Sequence, residues 1–405
     1  MRIRSSVTRP ATCEKIAPLN KQNPTKKRCV MKHRMQCSRL AILCLSAIVL
    51  PVATPSAFAA PSAKATQPVA SVSVFATGLE NPRGLKFGPD GHLYVAEGGT
   101  GGTNHVVGCA EVPVAGPYLG SETGGRISRI DALGNRTTVT DSLPSSQTAP
   151  IPSPLISGVA DVAFLKGKMY ALLAGAGCSH GVPNTPNGIV EVNRNGSWHM
   201  IANLSAYQMA HPVKNPNPGD FEPDGTWWGM VAVDGDLYAV EPNHGEMVRV
   251  TTGGHIRRIL DISASQGHIV PTAIVHQDHG AFFVSNLGTF DPEQLNKQLV
   301  LRITPNGQFR VAARNLSKVL GLAFDARGRM YALETSYSKT DPGPVPSSGR
   351  LIRISSDGKT KVVIDTGGSL FFPTAMTFGP DGALYVSNMG FGPPFGEILR
   401  IEVPN

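Results

Sequence analysis

The chain contains six copies of one short pattern, and this repetition limits its fold more than any other feature. Two copies are nearly identical: residues 82–95 (PRGLKFGPDGHLYV) and 373–386 (PTAMTFGPDGALYV). The four weaker copies are residues 159–171, 228–239, 271–284 and 319–332. Each copy has an apolar stretch, a glycine-containing turn and a second stretch that ends around an aromatic residue. Glycine permits the positive φ of a tight reversal, so each copy predicts an antiparallel hairpin.

A second hairpin is predicted after each copy, but the last one is incomplete. The first five copies are followed by a third strand, a turn such as Asn306-Gly307, and a fourth strand. After the sixth copy the chain ends just beyond the third strand at 397–401. An unused strand, 72–76 (VSVFA), precedes the first copy and can complete the last sheet. The sequence therefore predicts an all-β, six-bladed β-propeller with four antiparallel strands per blade, closed by an N-terminal strand. A two-sheet sandwich predicts neither this count nor this offset.

The long connections fall into two classes that share one face of a propeller. Five join the second and third strands of a blade, and two join consecutive blades. They are residues 98–125, 175–187, 287–297, 335–349 and 389–396, and residues 144–157 and 203–226. We call this side the loop-rich face and expect a functional site there, because loops on a rigid scaffold commonly carry function.

The net charge of +8 is concentrated in the first 60 residues, which hold 11 Lys and Arg and one acidic residue. The remaining 26 basic and 28 acidic residues nearly balance, so nucleic-acid binding is not expected.

Residues 1–60 are predicted to be a leader with a signal peptide. Its basic residues precede an apolar region at 40–50, and the small residues around Ala59 predict cleavage near 59/60. Residues 61–70 are then a linker and 71–405 the propeller.

The apolar region is too short to form a stable helix across a membrane, and cleavage would remove it, so no stable membrane span is expected in the mature chain. An uncleaved anchor helix is the alternative. We expect a secreted or periplasmic protein that is monomeric and whose translation starts at Met1, Met31 or Met35.

The mature chain keeps two cysteines, Cys109 and Cys178, and export favours a disulfide between them. A zinc site that adds His105 and His180 is the alternative.

The second strand of each blade contains an aromatic residue, and the position three residues after it is equivalent in all six blades. Five of the six positions are acidic or amide, and the sixth is Leu173. The five are Glu97, Glu241, Asn286, Glu334 and Asn388. They predict a ring of oxygen atoms at the channel mouth for Ca²⁺, another divalent ion or a polyhydroxylated ligand. The alternative is that short polar side chains cap the turn at the end of each strand.

Aromatic pairs precede two of the first strands. Trp227-Trp228 and Phe371-Phe372 could form a stacking platform for a sugar or aromatic ligand, or could pack between blades. His244, in the segment EPNHGE, is a weaker candidate for a base or metal ligand.

The segments LENPRGL (79–85), GPDG (88–91), LYVAE (93–97) and GGRI (124–127) resemble the ScyD/ScyE family of exported bacterial propellers. The closing segment from FPTA through Val386 (372–386) and the loop 389–396 are similar to that family as well. The resemblance spans essentially the whole mature chain and implies export and a propeller fold. It implies no settled catalytic residues.

Two classes of function are therefore expected. One is binding of a small molecule or cell-envelope partner through the loop-rich face. The alternative is a metal-dependent lactonase or hydrolase of the gluconolactonase-like type. A quinone-dependent sugar dehydrogenase would need Arg or Lys and His facing the axis, and the six ring positions contain none. A purely structural module would present a flat apolar face instead.

The leader generates the first prediction. The exported protein should begin close to Ala60, because the small residues Ala57 and Ala59 fit the recognition positions of signal peptidase. N-terminal sequencing and intact-mass measurement of protein recovered from outside the cytoplasm would check this. A mature chain that keeps residues 40–50 would instead establish an uncleaved anchor.

Overall fold

The computed structural model describes residues 67–404, with gaps at 112, 114, 149–153, 278–279, 290–295, 341–343 and 393. The leader, its cleavage site and the possible start residues lie outside this part of the chain. Within it, strands predominate, and two short α-helices, α1 (Leu204–Ala210) and α2 (Ile262–Gln266), lie in connections between blades. No helix in the described residues is long and apolar enough to cross a membrane.

The described strands form six antiparallel sheets, which are the predicted blades. Blade 1 consists of β2 (Pro82–Phe87), β3 (Leu93–Glu97), β4 (Tyr118–Ile130), β5 (Arg136–Thr148) and the short β6 (Ile156–Ser157). Blade 2 consists of β7 (Val159–Leu165), β8 (Lys168–Leu173), β9 (Gly188–Val192) and β10 (Trp198–Asn203). Blade 3 consists of β11 (Gly229–Val233), β12 (Asp236–Glu241), β13 (Glu246–Thr251) and β14 (Ile256–Asp261).

Blade 4 consists of β15 (Pro271–Gln277), β16 (Ala281–Asn286), β17 (Gln298–Ile303) and β18 (Phe309–Leu316). Blade 5 consists of β19 (Val319–Phe324), β20 (Met330–Glu334), β21 (Arg350–Ile354) and β22 (Lys361–Ile364). Blade 6 consists of β23 (Ala375–Phe378), β24 (Leu384–Asn388), β25 (Gly396–Glu402) and β1 (Ser71–Leu79). The first strands of neighbouring blades lie side by side, so the ring closes around a central axis.

The last blade takes its outer strand from the other end of the chain. β1 pairs antiparallel with β25, from Ser71 opposite Glu402 to Leu79 opposite Gly396. This confirms the predicted closure and extends it, because β1 has nine residues rather than five. Ala76 and Leu79 of β1 are buried in the core between blades 6 and 1. The pairing therefore covers the open edge of β25 and buries apolar side chains at the same place.

The core is divided into six apolar clusters, one at each interface between neighbouring blades. The repeated aromatic residues of the second strands lie in these interfaces. Tyr94 of blade 1 packs edge-on against Phe164 of blade 2, with ring centroids 4.9 Å apart. Tyr385 of blade 6 packs against Phe87 of blade 1 at 5.1 Å. Each repeat thus supplies one half of two interfaces, which explains why its pattern recurs six times.

Glycine in the turns between third and fourth strands has two reasons to be there. Gly134 and Gly358 both have positive φ, 83° and 72°. A Cβ atom on Gly134 would also overlap the carbonyl oxygen of Phe75, and one on Gly358 would overlap that of Ala312. Both carbonyls belong to the outer strand of the preceding blade. The turns therefore need glycine for their own conformation and for the close approach of neighbouring blades.

Blade 1 differs from the expectation. The sequence predicts loop at residues 118–125 and 144–148, whereas in the structure they extend β4 and β5 into a long hairpin. Gly120 lies so close to His180 and Gly181 of blade 2 that a Cβ atom there would overlap the His180 carbonyl. The prediction missed this extension because the segment is rich in glycine and serine, which are not typical of strands. It brings Tyr118 onto the loop-rich face.

Ring closure generates the second prediction. A chain that starts at Glu80 and so lacks β1 should lose more than about 3 kcal/mol of its free energy of unfolding, because the buried Ala76 and Leu79 are removed and β25 becomes an open edge. Thermal melting and size-exclusion chromatography would measure the loss and any association. A chain starting at Gln67, which keeps β1, is the matched control. Equal melting temperatures for the two chains would show that β1 does not close the ring.

Candidate functional site

The five predicted oxygen ligands are buried, and their oxygen atoms already have partners in their own blades. Each lies at the end of a second strand and has a relative exposure between 0 and 3%. Glu97 illustrates the arrangement. It accepts hydrogen bonds from the backbone N–H of Glu80 at 2.6 Å and from the Arg126 guanidinium, whose Nη2 lies 2.6 Å from Oε2. It also accepts a hydrogen bond from the Ser128 hydroxyl.

The other blades vary this theme. Glu334 accepts hydrogen bonds from the Ser317 N–H and the Arg350 guanidinium. Glu241 accepts them from the backbone N–H groups of Thr226 and His244. Burial raises the pKa of both carboxyls above the usual value of glutamate.

The two amides make the same kind of link. Asn286 donates to the Ile269 carbonyl and accepts from Leu299 N–H, and Asn388 accepts from Phe371 N–H and donates to the Ser369 carbonyl. Each of the five side chains therefore ties the end of a second strand to the segment that enters its own blade. Across the described residues no three His, Cys, Asp or Glu side chains are grouped as a metal site. The ion ring stays a prediction that these contacts do not support.

Cys109 and Cys178 form a disulfide with their Cα atoms 5.6 Å apart. This confirms the predicted bond and rules out the zinc alternative, because neither sulfur is free to bind a metal. His105 is exposed and pairs with Glu111, whereas His180 is fully buried. The bond links the loop after β3 to the loop after β8, which ties blades 1 and 2 together on the loop-rich face.

The predicted aromatic platform is formed only in part. Trp227 is fully buried in the core between blades 2 and 3, so it offers no surface to a ligand. Trp228, at the start of blade 3, is half-buried and stacks on Phe391 of blade 6, with ring centroids 6.2 Å apart. Phe372 packs edge-on against Phe391 at 6.4 Å and against Phe371 at 5.2 Å. Blades 3 and 6 are opposite each other in a ring of six, so these aromatic rings meet across the channel mouth.

Arg83 lies under this aromatic contact. It is the second residue of β2, the innermost strand of blade 1, and is 6% exposed. Its guanidinium carbon is 4.4 Å from the ring centroid of Phe391 and 5.1 Å from that of Trp228. Nη2 donates to the Ile156 carbonyl at 2.5 Å, while the buried Nη1 has no hydrogen-bond partner among the described residues. Burial lowers the pKa of Arg83 to about 9.

The backbone around Arg83 is fixed by blade 6. The Ser387 hydroxyl donates to the Arg83 carbonyl at 2.7 Å, and the Thr374 hydroxyl donates to the Pro82 carbonyl at 2.6 Å. Ile156 belongs to β6, just before blade 2. Residues of blades 1 and 6 therefore hold one cation against the aromatic rings at the mouth of the channel.

A buried polar group lies beside this cation on the loop-rich face. The Tyr118 hydroxyl donates to Glu222 Oε1 at 3.3 Å, and His180 Nε2 lies 3.5 Å from Glu222 Oε2. His244, the weaker candidate from the sequence, contacts the backbone carbonyl of Glu222 through Nε2 at 2.8 Å. Burial and the nearby Glu222 carboxylate raise the pKa of Tyr118 well above its usual value. Polar contacts here join β4 of blade 1, the loop after β8 of blade 2 and the segments of blade 3 that carry Glu222 and His244.

The fold is shared with solved propeller structures. A putative oxidoreductase (glucose dehydrogenase) from Thermus thermophilus is 18% identical, with a TM-score of 0.51 over 82% of this chain and 100% of that chain. A gluconolactonase from Xanthomonas campestris is 10% identical, with a TM-score of 0.49 over 82% of this chain and 90% of that one. Virginiamycin B lyase from Staphylococcus aureus is 15% identical, with a TM-score of 0.46 over 83% of this chain and 100% of that one. At these identities the likeness concerns the fold alone. No protein-family model and no curated protein matches the sequence.

Sequence reasoning missed Arg83, Tyr118, Glu222 and Phe391. One signal was available for Arg83. In the aligned copies PRG, PTA and PTA, at 82–84, 271–273 and 373–375, it is the charged residue where the other two copies have threonine. Tyr118, Glu222 and Phe391 lie in segments whose length and sequence differ from one repeat to the next, so the comparison of copies could not reveal them.

The capping role of Glu97 generates the third prediction. Glu97→Ala should lower the free energy of unfolding by about 3 kcal/mol, because Arg126 loses its buried partner. The loss should be the same with Ca²⁺ and with EDTA. Thermal melting under both conditions measures it, and Glu402→Ala, which removes an exposed partner of Arg400, is the matched control with little expected change. If EDTA lowered the melting temperature of the unaltered protein but not that of the Glu97 variant, the ion ring would be established.

Proposed function

We propose that this protein is an exported β-propeller that binds a small molecule at the mouth of its channel, on the loop-rich face. The observation that carries the proposal is the contact of Trp228 and Phe391, from opposite blades, above the buried guanidinium of Arg83. Most charged side chains in proteins face water or pair with an opposite charge. Arg83 is instead buried under two aromatic rings with no opposite charge beside it among the described residues, so a ligand at the channel mouth would supply the missing partner and find two stacking surfaces.

Export is supported by two independent observations. The disulfide between Cys109 and Cys178 fits an oxidising compartment. The sequence of the leader has the features of a signal peptide. The resemblance to the ScyD/ScyE family agrees with both, and membership of that family is part of the proposal.

A small molecule is favoured over an envelope protein by the shape of the aromatic site. Trp228, Phe372 and Phe391 are all half-buried rather than prominent. Protein partners usually engage a broad patch with projecting side chains, whereas recessed aromatic groups with a few polar donors suit small ligands. Phe395, which is 74% exposed in the same loop as Phe391, is the kind of side chain that a protein partner would contact.

The fourth prediction tests the site directly. A fragment library should be screened against the exported protein by ligand-observed NMR, and the dissociation constants of the hits measured. Trp228→Ala and Phe391→Ala should each weaken binding of the hits at least about tenfold, because each removes one stacking surface. Phe395→Ala is the matched control and should leave binding unchanged. Hits whose dissociation constants are unchanged by both ring substitutions, or are changed by Phe395→Ala, would contradict a small-molecule site at the mouth.

A further inference from the structure

The chemistry of Arg83 specifies what kind of small molecule the mouth would accept. A guanidinium group has five N–H donors in one plane and no acceptor. At Arg83 one of these donors is used by the Ile156 carbonyl, and the buried Nη1 has no partner among the described residues. A desolvated cation with an unused donor is unfavourable for folding by itself. The buried position of this cation becomes favourable when a ligand supplies an oxyanion that accepts from the unused donor.

Other arginines on the same face are arranged differently. Arg126 is paired with Glu97, and Arg350 with Glu334, in each case with a nitrogen to oxygen distance of 2.6 Å. These two carboxylates satisfy the cations inside their blades. Arg83 has two aromatic rings and a carbonyl oxygen around it instead. Burial lowers the pKa of Arg83, and the nearby phenol of Tyr118 raises that pKa by a smaller amount.

We propose, on the basis of the function proposed above, that the mouth selects flat molecules that carry a carboxylate, with Arg83 Nη1 as the donor. A carboxylate is planar and accepts parallel N–H bonds from a guanidinium, and a flat molecule that carries one can stack on the Trp228 ring beside Arg83. Inorganic phosphate has no flat face to stack on an aromatic ring, so it should bind less tightly than an aromatic carboxylate. The site is rigid where the donor is held, because Ser387 and Thr374 fix the backbone at Pro82 and Arg83.

The ring of Phe391 must turn about its side-chain bonds for the carboxylate to reach Nη1, because that nitrogen is buried beneath the rings. This motion separates Phe391 from Trp228. The chain has three tryptophans, Trp198, Trp227 and Trp228, so binding should change the tryptophan fluorescence. A Trp228→Phe variant should lose that change.

The test compares benzoate with benzamide, which has nearly the same shape and no charge, and with phosphate. Binding to the exported protein is measured by tryptophan fluorescence and calorimetry. We expect benzoate to bind at least about tenfold more tightly than benzamide or phosphate, which corresponds to one charge-assisted pair. Arg83→Met should abolish this preference and raise the melting temperature of the unliganded protein, because an apolar side chain then replaces a desolvated cation. Arg310→Met, which removes an exposed arginine of β18, is the matched control.

Three results would overturn the inference: no binding of benzoate, equal binding of benzoate and benzamide, or a preference for benzoate that survives in Arg83→Met. Tighter binding of phosphate would show that Arg83 is a general anion site instead. Equal binding of benzoate and benzamide that still depends on Trp228 would leave the small-molecule function intact. In that case the error would lie in the assigned ligand class alone.

Discussion

The pairing of β1 with β25 is the constraint on which the rest of the structure depends. In a propeller every blade packs against two neighbours, so no blade can be left with an uncovered face or an open edge without weakening both of its interfaces. Here the outer strand of blade 6 comes from the beginning of the described chain, and its buried residues Ala76 and Leu79 also belong to the core shared with blade 1. One strand thus completes a sheet and closes a ring.

Closure also explains how the candidate site is positioned. Arg83 follows β1 by only a few residues and lies on the first strand of blade 1, beside the blade that β1 completes. Its carbonyl accepts a hydrogen bond from Ser387 of blade 6, and its guanidinium donates to the carbonyl of Ile156 in β6 of blade 1. The side chain is therefore placed by the junction where the two ends of the chain meet. A mutation that loosened β1 would be expected to disturb Arg83 before any other part of the mouth.

The sequence was sufficient for the fold because the fold is repetitive. Six copies with one missing strand leave little freedom, and the aromatic residue of each copy, such as Tyr94, packs between blades. The site was predicted less well for the same reason. Equivalent positions such as Glu97 and Glu334 were found by comparing copies, and they proved to bind their own blades. Arg83 and Phe391 matter because they differ from their counterparts, and their contact joins segments 308 residues apart in the chain. A contact between segments so far apart in the chain follows from tertiary packing and cannot be predicted from local sequence patterns.

The contrast between these two groups of polar residues is the strongest physical argument for where function lies. Glu97 and Arg126 satisfy each other, so replacing one leaves an unpaired group and destabilises the fold. Among the described residues Arg83 has no such carboxylate partner, and its burial lowers its pKa to about 9, which means that the charged form at neutral pH works against folding. Residues that cost stability at the mouth of the channel, with their backbone held in place by hydrogen bonds, are typical of binding sites rather than of scaffolds. The paired glutamates are satisfied within their own blades, and on the function proposed above the unpaired arginine is the group whose missing partner a ligand would supply.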